Sequence, residues 1–337
     1  MIAVLCGGVG AARMLAGLQA VVDPGEIVAV VNTGDDAELY GLHISPDLDT
    51  ITYTLSGASN PITGWGLAGD TFRAMEALDR FGAPTWFRLG DADLATHLYR
   101  TGRMHEGATL SEVTAEISRA FGLGVRLLPM SDDPVRTRLR LRGAEEVAFQ
   151  DYFVRLRHSV AVEEVRFEGA ERAEPAPGLL AALADAEIVV VAPSNPIVSI
   201  GPILAVPRVA DVLEARRETV VAVSPIVAGA ALKGPADRLL TELGHEASAA
   251  GVARFLGSWV GAIVIDEADE SLADEVRAAG LRCLVAPTVM KTPEAAAALA
   301  RVVLGDSGRA PSGGAPGAQG TRRDPGPSGG APGAQGT

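Results

Sequence analysis

Aromatic residues are scarce in this chain, at 4% of its 337 residues, and cysteine occurs only twice. With so few rings, the core must be built mainly from Ala, Val, Leu and Gly, a composition that suits parallel strands covered by Ala-rich helices. Cys6 and Cys283 both fall in apolar, strand-like runs. We expect two buried free thiols that pack as small hydrophobic side chains, rather than a disulfide or a catalytic thiol.

The chain also lacks an excess of basic residues and a long apolar run. Its net charge of −13 argues against a nucleic-acid partner, because a phosphate backbone needs a basic footprint. No apolar run reaches the length of a membrane span, and no basic leader with a cleavage site precedes the first strand. We therefore expect no membrane association and a cytoplasmic location.

The sequence does contain a repeated alternation of apolar strands and helices, in a chain that is 47% hydrophobic. Residues 2–6 and 27–31 are continuous apolar strands, separated by a glycine loop and a helix at 11–22. Continuous rather than alternating apolar strands indicate burial on both faces, hence a parallel sheet between helices. The pattern returns late in the chain, with strands predicted at 187–192, 219–223, 262–265 and 282–285 and helices at 178–184, 208–216, 235–243 and 271–279.

This organisation predicts one doubly wound, mostly parallel, Rossmann-like α/β domain over residues 1–304. Between the two alternating regions, residues 109–112 form a capping box that opens a helix to 121. Residues 125–130, 136–142 and 162–167 predict short strands with alternating charges, so we expect a small inserted mixed α/β lobe at about 125–175. Residues 305–337 are rich in Gly, Pro and Ala, repeat the segment 311–321 word for word at 327–337, and are predicted to be disordered.

The loop Gly7-Gly8-Val9-Gly10 follows the first strand and opens the first helix. Backbone N–H groups at a helix N-terminus can face an anion, so Gly7, Gly8 and Gly10 are predicted to bind phosphate. Arg13, one turn into the helix, can reach back to the same ligand. Arg13 also stands where a dinucleotide-binding fingerprint has its third small residue, and no Walker lysine follows. The alternative is a tight strand-to-helix turn without a ligand.

Four carboxylates follow the second strand: Asp35, Asp36, Asp47 and Asp49. They lie at the carboxyl edge where open α/β sheets bind ligands, and carboxylates so close together repel one another unless a cation or a proton compensates them. Oxygen ligands without a nearby His or Cys suit Mg²⁺, which takes one or two carboxylates plus substrate phosphates and water. The alternative is that Asp47 only caps a helix starting near residue 48, and that Asp35 closes an Asx-turn.

Further polar residues follow other predicted strands. Arg88 ends an apolar, strand-like run, where it can pair with phosphate or stack on a ring, and Asp91 is predicted to cap the helix that continues to residue 99. Ser194 and Asn195 belong to the proline-rich loop 193–202, and Ser224 to a similar Ser-Pro turn one strand later. Rigid loops at the carboxyl ends of strands hold ligands, so these three residues are predicted to bind substrate.

Taken together, these motifs resemble the 2-phospho-L-lactate transferase family of coenzyme F-420 biosynthesis, over about residues 1–304. The segment 193–204 is highly specific. The motifs that carry the resemblance are Gly7-Gly8-Val9-Gly10, Asn32-Thr33-Gly34-Asp35-Asp36, Ser45-Pro46-Asp47-Leu48-Asp49-Thr50, Leu89-Gly90-Asp91, Pro129-Met130-Ser131-Asp132-Asp133, Phe149-Gln150-Asp151-Tyr152-Phe153-Val154, Pro193-Ser194-Asn195-Pro196 through Ser199-Ile200-Gly201-Pro202-Ile203-Leu204, and Ser224-Pro225-Ile226.

The resemblance implies the reaction. The deazaflavin Fo presents its ribityl hydroxyl group to a guanosine diphosphate-linked three-carbon acid, and the phosphate bearing that acid is transferred with release of GMP and with assistance from Mg²⁺. The family pattern implies that Asp47 and Arg88 contact the deazaflavin and that the glycines of the first loop lie near phosphate. We assign Asp35 and Asp49 to the metal, from their chemistry as well as from the family pattern, and Asp36 to acceptance of the hydroxyl proton.

Several points stay open at the level of sequence. Charge on the transferred oxygens can be neutralised by Arg88 or by Arg13. The acid is lactyl or phosphoenolpyruvyl: the sequence Gly10-Ala11-Ala12-Arg13 hints at a bacterial member, and bacterial relatives can use a phosphoenolpyruvyl donor. We also expect a homodimer.

Two rival classes remain. One is a non-catalytic nucleotide-sugar-binding regulator of the same superfamily, against which segments 46–50 and 193–204 favour the transferase. The other is a nicotinamide dehydrogenase, which would need a third glycine in the first loop and a lone ribose-binding acid about twenty residues further on. Here the acid is the pair at 35–36, and it comes later.

Overall fold

The computed structural model describes residues 1–306, so the duplicated segment that we predicted to be disordered lies outside the described residues. In this part of the chain the strands are β1 (Ile2–Cys6), β2 (Ile27–Val31), β3 (Ala37–Leu39), β4 (Leu42–Ile44), β5 (Arg126–Pro129), β6 (Arg136–Leu141), β7 (Glu146–Ala148), β8 (Val162–Glu168), β9 (Ile188–Val191), β10 (Val220–Val223), β11 (Ile226–Val227), β12 (Ala230–Ala231), β13 (Ala262–Ile265) and β14 (Arg282–Val285). The helices are α1 (Gly8–Gln19), α2 (Pro46–Leu55), α3 (Arg73–Asp79), α4 (Asp93–His105), α5 (Leu110–Ala120), α6 (Leu179–Asp185), α7 (Gly201–Ala205), α8 (Val209–Ala215), α9 (Ala236–Glu242), α10 (Ala249–Leu256), α11 (Ala273–Ala278) and α12 (Pro293–Asp306). Short stretches of 3-10 helix lie at Pro24–Glu26, Ala170–Arg172, Arg217–Thr219 and Glu267–Leu272, and of π-helix at Asp151–Arg155 and Pro196–Ile200.

Seven of these strands form one parallel sheet, in the order β14-β13-β10-β9-β1-β2-β5. The chain runs outward from β1 through β2 to β5, returns to β9 on the other side of β1, and runs outward again through β10, β13 and β14. Val4 at the centre of β1 therefore lies opposite Ala29 of β2 and opposite Val190 of β9. The prediction of a doubly wound, Rossmann-like sheet is confirmed. The strand order reverses between β1 and β9, which is the place where such sheets bind ligands.

The central strands are buried on both faces because helices cover both faces of the sheet. Every residue of β1 and β2 is buried, as their continuous apolar runs predicted. Successive side chains enter different clusters: Val4 packs into the one that holds α1 and α12, and Leu5 into the one on the opposite face. α1 and α12 approach so closely that Gly17 lies against the backbone of Ala296.

The inserted lobe is a three-stranded antiparallel sheet in the order β7-β6-β8. Along β6, Leu139 and Leu141 are buried while Arg140 between them is exposed, which explains the alternating charges. One part of the lobe prediction is wrong, because β5 pairs with β2 at the edge of the central sheet. Leu127 and Leu128 of β5 are both buried and belong to clusters on opposite faces of the sheet. Neither face of this strand is therefore exposed to solvent at these positions.

The segment that ends at Arg88 is not a strand, contrary to the prediction. Asp91 also caps a different helix from the predicted one, because its carboxylate accepts backbone N–H groups at the start of α3. Asp70, which precedes α3, accepts the N–H groups that open α4. Each of the two helices is thus capped by an acid that lies next to the other helix, an exchange that a cap search in local sequence cannot detect.

Both cysteines are free thiols, as predicted, with Cys6 buried and Cys283 half-buried. Among the described helices, no single one is long and apolar enough to cross a membrane. The bent pair Pro196–Ala205 and Val209–Ala215 meets that test only when its two helices are taken together, by length and composition.

The close approach of α1 to α12 makes a prediction about stability. A Cβ atom at Gly17 would overlap the carbonyl group of Ala296, so Gly17→Ala should lower the free energy of unfolding by about 1–3 kcal/mol. Gly102 in α4 is the matched control, because a Cβ atom there meets nothing within 4 Å. Gly102→Ala should raise the free energy of unfolding by about 0.5–1 kcal/mol through helix propensity. Urea titration of both variants measures the difference, and an equal gain in both would contradict the packing.

Candidate active site

A cavity of about 1050 Å³ opens at the carboxyl ends of β1 and β9, where the strand order reverses. The two strand ends are joined by the Ser194 hydroxyl group, which donates to the Gly7 carbonyl oxygen at 2.9 Å and accepts from the Gly7 N–H group at 3.2 Å. The loop after β9 is thereby fixed against the glycine loop after β1. The cavity floor has a defined shape because these two loops cannot move independently.

The loop after β1 consists mainly of glycine because there is no room for a side chain at two of its positions. A Cβ atom at Gly7 would lie 2.6 Å from Asp47 Oδ2, and one at Gly10 would overlap the carbonyl oxygen of Pro193. Gly8 has a φ of 75°, in the left-handed region that glycine tolerates best. α1 begins at Gly8, but the Gly8 N–H group donates to Asp47 Oδ1 at 2.8 Å. The first two backbone donors of the predicted phosphate loop, at Gly7 and Gly8, therefore already bond protein oxygens of Ser194 and Asp47.

Asp47 is a buried carboxylate at the cavity wall, at the start of α2. Besides the Gly8 N–H group, it accepts the Asn32 side-chain amide at 2.9 Å. Burial raises the pKa of Asp47 to about 6, although the hydrogen bonds from Asn32 and Gly8 oppose that shift. The alternative role of Asp47 as a mere helix cap does not describe it, because its oxygens bond Gly8 of the glycine loop and Asn32, which follows β2, rather than the first turn of α2.

Asp35 and Asp36 take different positions. Asp35 lines the cavity, and its Oδ1 atom is buried without a hydrogen-bond partner. Burial, and next the charge of Asp47, raise the pKa of Asp35 well above its ordinary value. Asp36 does not line the cavity; its Oδ2 atom accepts the Ser45 hydroxyl at 2.8 Å and lies 2.9 Å from His43 Nε2. The structure therefore brings Asp35 and Asp47 to the cavity wall, whereas Asp36 lies off the wall but near enough for its charge to act on both.

Asp49 lines the cavity as part of a buried charge network. Its two oxygens accept the two terminal nitrogens of Arg100, one of them at 3.2 Å, and both side chains are almost completely buried. His97 Nδ1 lies 3.6 Å from Asp49, and its Nε2 lies 3.3 Å from Asp93. Asp93 also accepts the Tyr53 hydroxyl at 2.6 Å. Arg100 thus neutralises Asp49, which leaves Asp49 less free than Asp35 to hold a cation.

The remaining predicted substrate-binding residues also line the cavity, and their side-chain oxygens have protein partners. Asn195 Oδ1 accepts two N–H groups that open the π-helical turn Pro196–Ile200, and the Ser224 hydroxyl closes a turn with Ile226. With Ser194 bonded to Gly7, all three shape the wall in this structure. Contact with substrate stays a prediction for each of them.

Residues 2–292 match the family described as 2-phospho-L-lactate transferase CofD. The chain belongs to this family. Among curated relatives, the phosphoenolpyruvate transferase of Streptomyces griseus subsp. griseus is 45% identical over 308 residues, which covers 90% of this chain and 97% of the relative. The protein of that name from Kitasatospora aureofaciens is also 45% identical, over 90% of this chain and 96% of the relative. The one from Mycolicibacterium smegmatis is 40% identical, over 90% and 97%. The resemblance inferred from the motifs is confirmed.

Solved structures support the fold of this CofD-family chain. Protein BH3568 from Bacillus halodurans aligns with a TM-score of 0.59 at 15% identity, over 90% of this chain and 98% of that chain. A second structure of this protein, described as a member of the UPF0052 family, aligns with a TM-score of 0.57 at 16% identity. At this level of identity the likeness shows the α/β fold alone.

Several cavity residues of this CofD-family transferase were missed in the sequence. Five basic side chains line the cavity without an ion pair to any carboxylate within residues 1–306; the sequence motifs identified Arg13 and Arg88, but not Arg157, Lys233 and Lys291. Arg100 was missed because its contact with Asp49 depends on how α4 packs near α2, which no motif in the sequence records. His97, one turn earlier in α4, is buried beside Asp49.

The ion pair between Asp49 and Arg100 makes a prediction that separates the two residues assigned to the metal. Asp49→Asn should lower the free energy of unfolding by about 3–5 kcal/mol, because it leaves Arg100 as a buried cation without its partner. Asp35→Asn should leave that free energy unchanged or raise it, because it removes a buried charge that no cation pairs with in the free protein. Urea titration without divalent cations measures both variants.

The double variant Asp49→Asn with Arg100→Met is the control, and it should recover most of the loss because both buried charges are gone. If Asp49→Asn alone unfolds like the wild type, Asp49 does not depend on Arg100. The predicted metal contact would then be favoured.

Proposed function

We propose that this transferase moves a phosphoenolpyruvyl-bearing phosphate from a guanosine diphosphate-linked donor to the ribityl hydroxyl group of Fo, with release of GMP, as a step of coenzyme F-420 biosynthesis. The observation that carries the proposal is that one cavity at the switch point gathers every residue predicted to bind substrate. Relatives named phosphoenolpyruvate transferase, which are 45% identical over 90% of this chain, favour that acid over the lactyl group. The cytoplasmic location and the homodimer stay predictions.

The cavity suits one ring-bearing substrate and one polyanionic substrate. Trp65, Trp86 and Phe87 line it and offer flat apolar surface to a deazaflavin ring. Arg88 stands beside them, and its guanidinium carbon lies 4.0 Å from the centroid of the Phe72 ring, a contact that holds the arginine in place. The glycine loop and the unpaired cations line the same cavity and suit phosphate. Two substrates of different chemistry can therefore occupy one cavity, as a transfer between them requires.

Mg²⁺ fits the acidic side of this cavity as an ion that accompanies a diphosphate. Asp35 offers a buried oxygen without a partner, beside Asp47. Within the described residues no group of three or more His, Cys, Asp or Glu side chains has the arrangement of a metal site. Mg²⁺ commonly uses only one or two carboxylates and takes its other ligands from phosphate and water. We propose Asp35 as its main protein ligand, where the ion would neutralise charge on the diphosphate.

The protein's own groups then act by positioning and electrostatics, which is most of what phosphoryl transfer needs. Gly8 and Asn32 hold the Asp47 carboxylate at the wall, where it can accept a hydrogen bond from the substrate hydroxyl group. Arg88 and Arg13 can stabilise charge on the transferred oxygens. The role of proton acceptor that we predicted for Asp36 stays a prediction, and the geometry favours Asp47 for contact with the hydroxyl group because Asp36 is not at the wall.

The reaction can be tested directly. Purified protein with Mg²⁺, Fo and phosphoenolpyruvyl guanosine diphosphate should give the phosphodiester of Fo together with GMP, detected by mass spectrometry. The lactyl donor, offered separately at the same concentration, should react more slowly because the named relatives are phosphoenolpyruvate transferases. Absence of any Fo adduct from either donor, beside an active control enzyme, would overturn the proposal. Faster transfer from the lactyl donor would overturn only the choice of acid.

The cation can be tested by thermal unfolding in the presence of GDP. Added Mg²⁺ should raise the unfolding midpoint of the wild type by several degrees, because a ligand that binds the folded state stabilises it. Asp35→Asn should lose this increment. Asp36→Asn is the matched control and should keep it, since Asp36 lies off the cavity wall. The increment, rather than the midpoint itself, is compared, so a change in the basal stability of either variant does not matter. An unchanged increment in Asp35→Asn would remove Asp35 from the cation site.

A further inference from the structure

Lysine occurs only twice in this chain, as Lys233 and Lys291, whereas arginine occurs 27 times. Both lysines line the cavity at the switch point. A protein that uses arginine for nearly all of its positive charge has thus placed its two ammonium groups at one site. Neither lysine belongs to a motif from which the family was inferred, and the two are almost sixty residues apart in sequence. Their meeting is a property of the fold.

Arg13 lies near both lysines along the chain or in space. Its guanidinium donates to the carbonyl oxygen of Met290, the residue before Lys291, at 3.3 Å. Lys233 is near enough to Arg13 for that positive charge to act on it, and burial, followed by the charge of Arg13, lowers the pKa of Lys233. Repulsion between cations is unfavourable in the free protein, so an arrangement that keeps them together indicates an anion that they bind.

Lys233 also faces the glycine loop. Its Nζ atom is 3.5 Å from the Thr63 carbonyl oxygen and 2.9 Å from the place of a Cβ atom at Gly64. The same Cβ position lies 3.6 Å from Val9, in the first turn of α1. The Lys233 ammonium group therefore stands at the mouth of the helix N-terminus, a short distance from the loop predicted to bind phosphate.

None of the three cations has an acidic partner. Within residues 1–306, neither Lys233, nor Lys291, nor Arg13 forms an ion pair, although many arginines on the surface pair with Asp or Glu. In a chain with a net charge of −13, carboxylates are abundant, so three unpaired cations on one wall are a selective arrangement. Of the four acids that line this cavity, Asp47 bonds Gly8 and Asn32, and Asp49 and Asp93 belong to the network of Arg100 and His97.

We infer that Lys233 and Lys291, together with Arg13, form the binding site for the diphosphate of the nucleotide-linked donor. This inference rests on the proposed function for the identity of the donor. The ammonium group suits the position because it is a compact point charge that fits against Gly64, where the broad, planar guanidinium group would need more room. The diphosphate would then lie between the three cations and the carboxylate Asp35, so that the divalent cation and the lysines neutralise it together.

The scarcity of lysine permits a footprint on the unmodified protein. An amine-selective acylating reagent has three targets in a protein of this sequence: Lys233, Lys291 and the α-amine of Met1. Met1 precedes β1 at the other end of the strand and pairs with Glu187, so it is an internal control. GDP with Mg²⁺ should slow acylation of both lysines several-fold and leave Met1 unchanged, as peptide mass spectrometry would show. Pyrophosphate should act in the same way.

Variants supply the second measurement. Lys233→Met and Lys291→Met should each weaken GDP binding, measured by calorimetry, roughly tenfold, the loss expected for one charge-assisted hydrogen bond. Arg142→Met is the charge-matched control, because Arg142 is an exposed side chain of the inserted lobe, and it should bind GDP as the wild type does. The same lysine variants should bind Fo with unchanged affinity, which shows that the cavity is still folded.

The outcomes separate this inference from the proposed function. Suppose that the wild type binds GDP, that GDP does not protect the lysines from acylation, and that both lysine variants bind GDP as well as the wild type does. The inference about the lysines is then wrong, while the proposal of a guanosine diphosphate-linked donor is unaffected. If pyrophosphate protects the lysines but GDP does not bind, the anion site stands and the guanosine donor fails. If neither anion protects either lysine, the inference is overturned.

Discussion

The structure depends on one close approach, between the carboxyl ends of β1 and β9. Ser194 bonds the backbone of Gly7 in both directions, while Gly10 lies against Pro193 with no room for a Cβ atom. Among the strands of residues 1–306, the two halves of the doubly wound sheet are joined by this pair alone. Since the loops after both strands line the cavity, the contact that completes the fold also fixes the site. A residue larger than glycine in this loop would disturb packing and ligand binding together.

The cavity is lined both by buried acids and by basic side chains without acidic partners. A polyanion that brings a cation can interact with both groups. Asp35 and Asp47 are buried at the strand ends with raised pKa values, which means that negative charge is unfavourable there in the free protein. Arg13 and the two lysines are positively charged, line the cavity and have no acidic partners within residues 1–306. Either group alone is poorly compensated. A diphosphate with a divalent cation would compensate both groups at once, because the cation would neutralise the acids and the phosphates would neutralise the lysines.

The fold could be predicted from sequence because its strands are buried on both faces and its helices are amphipathic, two signals that local sequence carries. The prediction went wrong for β5, whose placement depends on pairing with β2, and for Asp91, whose cap serves a helix it does not precede. The site residues that belong to sequence motifs were predicted. Site residues that approach from distant parts of the chain were missed: Arg100 contacts Asp49 across 51 residues of sequence, and no local pattern records that contact. The two lysines carried a signal in their rarity, which composition shows but motif searches ignore.

Asp49 combines the chemistry of a metal ligand with a buried ion pair to a cation of the protein itself. A carboxylate two residues from Asp47, in an acidic segment and on the cavity wall, has the chemistry that Mg²⁺ prefers. Arg100 already supplies the cation, with His97 and Asp93 completing the network. Such a pair seldom adds stability over apolar residues of the same size, but breaking it is costly. Its value here lies in geometry, because it ties α2, which carries Asp47, to α4. The network thereby fixes the part of the cavity wall that carries Asp47, the carboxylate that we propose to contact the substrate hydroxyl group.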